Sequence, residues 1–252
     1  MQKLAILILT KNEEKNIVDV IKNAQQCSND IIIIDSGSTD NTVELAEMAG
    51  ARVYFRAWDN DFAAQRNFGL KLTEADWVFY LDADERLNIE AINHIKEVVK
   101  EGQMDSQYYI TRKSRAFGYD FNYGVLRPDK VYRLFPRDSV TWANKVHERA
   151  ECALPKWSLK GIIIHYTYSG WTQWLRKFEQ YTTIWAIDAY KKGKRTSPVG
   201  IMTHALFAFI QMSFLKLGLL DGFMGLVMCC NHFFYTMIKY LKLYELQRRE
   251  SK

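Results

Sequence analysis

The chain has 252 residues, 48% of them hydrophobic and 25% charged, a globular composition long enough for one large α/β domain or two small ones. Its formal net charge of +5 is uneven, because from Trp171 onward 12 Lys and Arg face 5 Asp and Glu; without an RNA- or DNA-binding motif, that basic excess points away from nucleic acid and towards an anionic surface, a bilayer leaflet or an acidic lipid-linked glycan. The four cysteines, Cys27, Cys152, Cys229 and Cys230, show neither CxxC pairing nor zinc spacing, which excludes a disulfide scaffold or zinc module and suits reduced thiols in a cytosolic protein.

The opening MQKLAILILTKNEEKN has one short apolar run, charged residues directly after it and no small-residue cleavage site, so Leu4 to Leu9 reads as a first strand, not a signal peptide. Lys11 to Glu14 leads into helical spacing through Ile17, Val20 and Ile21. Asp30 to Ile34 is a second buried strand closed by Asp35, and the string DSGSTDNT supplies a tight turn at Gly37 and a helix cap at Thr39 or Asp40. Arg52 to Phe55 is a short third strand, Asp61 to Leu72 a helix with Arg66 in its middle, and Trp77 begins a fourth strand. Alternation of this kind predicts a mostly parallel sheet with ligand at the carboxyl ends of its strands. Ile89 to Lys100 is a further amphipathic helix stopped at Gly102. Tyr108 to Lys113, Val131 to Phe135 and Ile162 to His165 read as strands, with a loop from Trp142 to Glu148. From Trp171 the pattern is helical, with a break from Gly193 to Pro198. Two strongly apolar stretches follow, Val199 to Leu215 and Leu217 to Leu241; the polar residues inside them disfavour true spans and leave two readings, helices lying on or dipping into a bilayer and helices packed on the domain.

The fourth strand carries the chemistry. In WVFYLDADER an apolar run ends in Asp82 and Asp84, and strand alternation would put both on one side. Two hard oxygen donors at that spacing can share Mg²⁺ or Mn²⁺ with the phosphates of a nucleotide. An isolated DxD is more often a polar turn, so its weight comes from the motifs around it.

TKNEE after the first strand, IDSGSTDNT after the second, QRNFGL before the fourth and LDADE ending it resemble, in order and spacing, the family 2 glycosyltransferases of GT-A fold. The resemblance covers roughly the first 170 residues. It implies a GT-A domain over 1–170, with nucleotide-sugar binding in about 1–113 and the acceptor side in about 114–170, followed by a basic amphipathic helical region over 171–252. It also implies residue roles. Thr10, Glu13 and Asp35 bind the nucleotide; Arg66 reaches the nucleotide or its phosphates; Asp84 ligates Mn²⁺ or Mg²⁺; Asp82 lies near ribose, sugar or metal; His165 completes the metal site. In VHERA, Glu148 stands as the base for the acceptor hydroxyl and His147 as its positioner, although the family's more usual acidic pair is missing. Trp142, Tyr166, Tyr168, Trp171 and Trp174 fall on the expected acceptor side; Arg127, Lys130 and Arg133 have two readings, contacts to a phosphorylated acceptor or a solvated face, of which the solvated face is favoured.

The whole-chain layout, with VHE, HY and Gly222 to Gly225 in an apolar basic tail, is similar to bacterial lipopolysaccharide core glucosyltransferases acting on heptose. That likeness implies an inverting transfer of a hexose from a UDP-sugar to a lipid-linked glycan, by a protein held on the cytoplasmic face of the inner membrane. The alternatives are a transferase for capsule, exopolysaccharide or another lipid-linked glycan, and a nucleotide-sugar-binding protein without turnover. A processive synthase is disfavoured because no QxxRW motif occurs.

Overall fold

The computed structural model describes residues 2–144, 148–168 and 170–250. Two compact units divide the chain: residues 1–112 with 129–165, and residues 113–128 with 166–252. The strands and helices up to the last strand are β1 (Leu4–Thr10), α1 (Ile17–Ala24), β2 (Asp30–Asp35), α2 (Thr42–Met48), β3 (Arg52–Phe55), α3 (Phe62–Leu70), β4 (Trp77–Asp82), β5 (Glu85–Leu87), α4 (Ile89–Glu101), β6 (Gln107–Ala116), β7 (Tyr119–Asp120), β8 (Asp129–Pro136), β9 (Thr141–Ala143), β10 (Arg149–Glu151) and β11 (Lys156–Tyr168).

In the first unit β3, β2, β1 and β4 pair in parallel, and the order continues through β8, β6, β11 and β5. The joins of β4 to β8, β8 to β6 and β11 to β5 are antiparallel. The parallel strands are apolar on both faces because both faces are covered. Ile6, Ile8, Ile31, Ile33 and Phe79 pack with Ile17 and Ile21 of α1 and Ile92 and Ile95 of α4; Leu7, Ile32, Ile34, Val78 and Tyr80 pack on the other side with Phe135. Alternate residues of one strand therefore serve two cores. The register also aligns the polar ends: Thr10 lies opposite Asp35, and Leu9 opposite Asp82. Three strand ends carrying chemistry thus share one edge of the sheet.

Local signals set the helix limits. Asp61 caps α3 by accepting from Ala64 N–H at 2.8 Å, and Asn88 caps α4 by accepting from Ala91 N–H at 3.0 Å. Gly102 ends α4 at φ +75°. Asp40 accepts from the Thr42 N–H at 3.1 Å at the head of α2.

In two places the sequence expectation changes. β4 stops at Asp82, and Ala83 and Asp84 form a turn before β5, so alternation along a strand does not set the direction of Asp84. Trp142 lies in β9, not in a loop, because its backbone is held on both sides by Asn67 and its ring packs on Tyr80 and Phe135.

The second unit is helical apart from a hairpin. The end of β6 turns at Phe117 and Gly118, both at positive φ, into β7, and Arg115 pairs with Asp120 at 2.6 Å. Three helices follow, α5 (Trp171–Lys191), α6 (Pro198–Ile210) and α7 (Gly222–Glu250), with a π-helical turn at Gln211–Leu215 and a 3-10 turn at Gly218–Asp221 between the last two. Ser197 caps α6 through the Gly200 N–H at 3.1 Å with Pro198 in the first turn. Ala186, Ala189 and Leu243 form the α5–α7 seam.

Candidate active site

The loops after β1 and β2 are built against each other. Asp35, buried, accepts from the N–H groups of Gly37 and Ser38 at 2.8 and 2.9 Å and from the Ser38 hydroxyl at 2.5 Å. The Thr10 hydroxyl donates weakly to it at 3.4 Å. Asn12, in the left-handed region at φ +57°, accepts from Thr39 N–H at 2.7 Å, and the Glu13 N–H donates to Thr42 Oγ1 at 2.7 Å. The string after the second strand therefore works chiefly as a scaffold for the first loop.

Each polar residue of QRN in α3 has its own partner. Gln65 donates to the Arg56 carbonyl at 2.9 Å, and Asn67 exchanges two hydrogen bonds with the Trp142 backbone at 2.8 and 2.9 Å. Gly69 lets α3 approach the sheet, since a Cβ there would lie 3.0 Å from Ile34. Arg66 is 5% exposed and reaches out of this frame. Its Nη2 donates to Asp82 Oδ1 at 3.1 Å and to Glu148 Oε1 at 3.2 Å, and its guanidinium stands 4.6 Å over the Trp142 ring.

Asp82 is pinched between two arginines. Arg133 Nη2 donates to Asp82 Oδ2 at 2.9 Å and to Glu85 Oε1 at 2.6 Å. The Asp82 N–H donates to Glu85 Oε2 at 3.0 Å, and Arg112 closes the network on Glu85 at 3.4 Å. Partial burial would push the Asp82 carboxyl up, but the charges of Arg133 and then Arg66 outweigh it and hold that carboxyl well below the usual carboxylate range. Glu85 is fully buried; desolvation, with the Asp82 charge behind it, outweighs Arg133 and Arg112 and pushes its carboxyl up. Arg133 is 4% exposed, so it is a buried counter-ion and not part of a solvated face.

Asp84 meets a different partner. β5 pairs with β11 so that His165 lies opposite Glu85, and this brings His165 Nε2 to 3.2 Å from Asp84 Oδ2. Among the described residues no arginine or lysine engages Asp84. A carboxylate and an imidazole at this separation fit a divalent cation, which takes oxygen and nitrogen donors of this kind. Among the described residues no three acidic, histidine or cysteine side chains converge into a closed cage, so the remaining ligands of such an ion would come from bound phosphate and water. Asp82 is a poorer ligand than the DxD spacing suggests, since both of its oxygens are engaged by arginine.

Two cavities meet at these groups. One, of about 340 Å³, is lined by Thr10, Glu13, Ser36, Trp58, Asp84 and others. The second, of about 390 Å³, is lined by Arg112, Arg133, Arg149 and Lys156 among others. Arg66, Asp82 and Glu148 line both. Of the residues singled out in the sequence, Thr10, Glu13, Arg66, Asp82, Asp84 and Glu148 line the first cavity, Asp35 supports its rim without lining it, and His165 reaches it through Asp84. His147 lies outside the described residues. Glu85 and Asn67 carry no site role in the sequence reading, and Arg133 stands there only as a contact to a phosphorylated acceptor or a solvated side chain. Asn67 stands inside the QRNFGL motif, whereas Glu85 and Arg133 are 48 positions apart and carry no shared sequence signal.

The family model described as "Glycosyl transferase family 2" matches residues 5–149, more than half of the chain. The chain belongs to glycosyltransferase family 2. This transferase is 27% identical over 258 residues to an uncharacterized glycosyltransferase of Rickettsia typhi, covering 98% of this chain and 88% of the relative. It is 26% identical over 263 residues to the lipopolysaccharide core biosynthesis glycosyltransferase LpsC of Rhizobium meliloti, covering 98% and 95%. Among solved structures, glucosyl-3-phosphoglycerate synthase from Mycobacterium tuberculosis, in complex with Mn²⁺, UDP and glucosyl-3-phosphoglycerate, is 17% identical with a TM-score of 0.46 over 78% of this chain and 82% of that one. GalNAc-T7 with UDP, GalNAc and Mn²⁺ is 12% identical with a TM-score of 0.49 over 68% and 45%. The half-parallel sheet with helices on both faces is the GT-A fold of the family.

Proposed function

We propose that this family 2 glycosyltransferase transfers a hexose, glucose in the first instance, from a UDP-sugar to a phosphate-bearing, lipid-linked glycan of the lipopolysaccharide inner core, with inversion, on the cytoplasmic face of the inner membrane. The observation that carries the reading is the sharing of Arg66, Asp82 and Glu148 by two adjoining cavities. The donor belongs in the first, where Thr10 and Glu13 receive the nucleotide and Asp84 faces the diphosphate. The acceptor belongs in the second, whose arginines and Lys156 suit a phosphorylated sugar. The relative from Rhizobium meliloti, named for lipopolysaccharide core biosynthesis, supports that acceptor class. Residues 1–170 form the catalytic domain in this reading, and 171–252 a basic helical region serving it.

Asp84 and His165 would hold Mn²⁺ or Mg²⁺, and the bound ion would supply neutralising charge for the departing diphosphate. Arg66 adds a fixed positive group aimed into the same cavity, and its burial keeps it oriented without reorganisation. Glu148, held by Arg66 where the cavities join, takes the proton from the acceptor hydroxyl, with His147 as its positioner.

The test is release of nucleoside diphosphate from a panel of nucleotide sugars with Mn²⁺ or Mg²⁺, with and without deacylated lipopolysaccharide core. Metal-dependent release from one UDP-sugar, increased by the core, is expected. Release that the core does not increase rejects the acceptor, and folded protein that neither binds nor turns over any donor rejects the enzyme.

A further inference from the structure

α6 is apolar apart from Thr203 and His204. Only Ile201, Ala205 and Ala208 of its residues are buried, in a narrow stripe, while the bulky Val199 and Phe207 are 73% and 61% exposed. The segment Pro198–Leu215 is long and apolar enough to cross a bilayer, yet only 22% of it is buried. The exposed surface continues round the turn to the start of α7: Leu215 is 70%, Leu220 63% and Phe223 76% exposed. A helix with apolar residues all round is stable only when something apolar covers it.

Charge indicates what that cover is. From Thr196 to Ile238 the only charged residues are Lys216 and Asp221. The Asp221 carboxylate is consumed within the fold, accepting from the N–H groups of Asn122 and Tyr123 at 3.1 and 2.9 Å. Basic residues stand on either side of this stretch: Lys191, Lys192, Lys194 and Arg195 before it, Lys239, Lys242, Arg248 and Arg249 after it. The fold brings the two groups together. Thr196 N–H donates to Gln247 Oε1 at 2.8 Å and Gln247 Nε2 donates to the Thr196 carbonyl at 3.0 Å, so the start of α6 lies against the end of α7. An aromatic collar marks the transition, with Lys239 Nζ 4.8 Å from the Trp185 ring and His204 stacked on Tyr240 at 4.2 Å. Apolar tip, aromatic collar and cationic end follow the order of acyl chains, interface and anionic headgroups. The thirteen residues of α6 span about 20 Å, enough to pass one leaflet's hydrocarbon of about 15 Å without crossing both.

We infer that the α6–α7 hairpin is a re-entrant lipid anchor, the exposed Phe214, Leu215, Leu220 and Phe223 of its turn entering the acyl region of an anionic leaflet while its basic end stays among the headgroups. This anchor rests on the reading of a lipid-linked acceptor given above. Flotation of the full chain with vesicles of phosphatidylcholine, with and without phosphatidylglycerol, tests it. The protein is expected to float, more strongly with phosphatidylglycerol. Leu220→Glu with Phe223→Glu changes two exposed side chains and is expected to abolish flotation while leaving the circular dichroism spectrum and donor turnover unchanged. Arg248→Glu with Arg249→Glu is expected to weaken binding to the anionic vesicles about tenfold or more. Wild-type protein that stays with neither vesicle, including protein whose apolar face is closed by a second copy in solution, overturns the anchor; so does a Leu220→Glu, Phe223→Glu variant that floats like wild type. Donor turnover is read separately, so protein that turns over UDP-sugar but ignores vesicles refutes only the anchor.

Discussion

Glu148 and Arg66 are joined through one oxygen: Arg66 Nε and Nη2 both donate to Glu148 Oε1, at 3.3 and 3.2 Å. Among the described residues nothing bonds Oε2, which leaves that atom to meet an acceptor hydroxyl. A base oriented by a buried cation in this way loses its function, but not its place, when made neutral. Glu148→Gln should therefore keep UDP affinity by calorimetry while transfer falls roughly 10²- to 10⁴-fold. Unchanged transfer would remove Glu148 as the base.

The approach of His165 to Asp84 makes a separate prediction about metal. Asp84→Asn should abolish tight Mn²⁺ binding in the presence of UDP, read by calorimetry, and with it Mn²⁺-stimulated donor turnover. His165→Ala keeps the carboxylate and should raise the Mn²⁺ concentration needed by roughly tenfold or more. Full Mn²⁺ affinity in the Asp84 variant would reject the assignment.

Much of this site was legible because its parts are local. Apolar runs of four to six residues leading to Thr10, Asp35 and Asp82 declare buried parallel strands, and buried parallel strands put their chemistry at their carboxyl ends. The motif QRNFGL could be seen as a unit, yet the separate tasks of Gln65, Asn67 and Gly69 depend on partners at Arg56, Trp142 and Ile34 that no spacing reveals. Arg133 looks like a solvated arginine in the sequence because no local spacing names a partner for it; its burial comes from β4 and β5 bringing Asp82 and Glu85 onto it. β11 begins six residues before the expected Ile162 because the polar, glycine-containing stretch from Lys156 looks like a loop.

Gly161 in that stretch supports a prediction of its own. It holds φ +77° inside β11, and a Cβ there would overlap the Ala91 N–H and lie 2.5 Å from Asn88 Oδ1, the cap of α4. Asn88 Oδ1 also accepts from Ile162 N–H at 3.0 Å, so one side chain ties the strand to the helix start. Gly161→Ala should strain the backbone and displace the cap together, lowering unfolding free energy by roughly 2–4 kcal/mol. Urea denaturation checks it, and a loss within error of zero would mean that β11 shifts freely.

Arg133 should prove the most sensitive residue for stability. Removing it leaves the fully buried Glu85 with only the more distant Arg112, and takes one of two cations from Asp82. Arg133→Met should cost about 3–5 kcal/mol at neutral pH, and Arg133→Met with Glu85→Met should recover part of that loss, because an unpaired buried charge costs more than an apolar pair. The pH dependence follows from Glu85. Its folded carboxyl already lies above the ordinary value of 4.5, and loss of Arg133 removes the strongest influence lowering it. A raised folded value means that the stabilising contribution is present below 4.5 and is lost as pH rises through the folded value. The destabilisation of Arg133→Met should therefore shrink from neutral to mildly acidic pH as Glu85 takes up a proton, above the region where Asp82 titrates. Urea midpoints at the two pH values decide it: an equal gap at both would show that Glu85 does not carry the uncompensated charge.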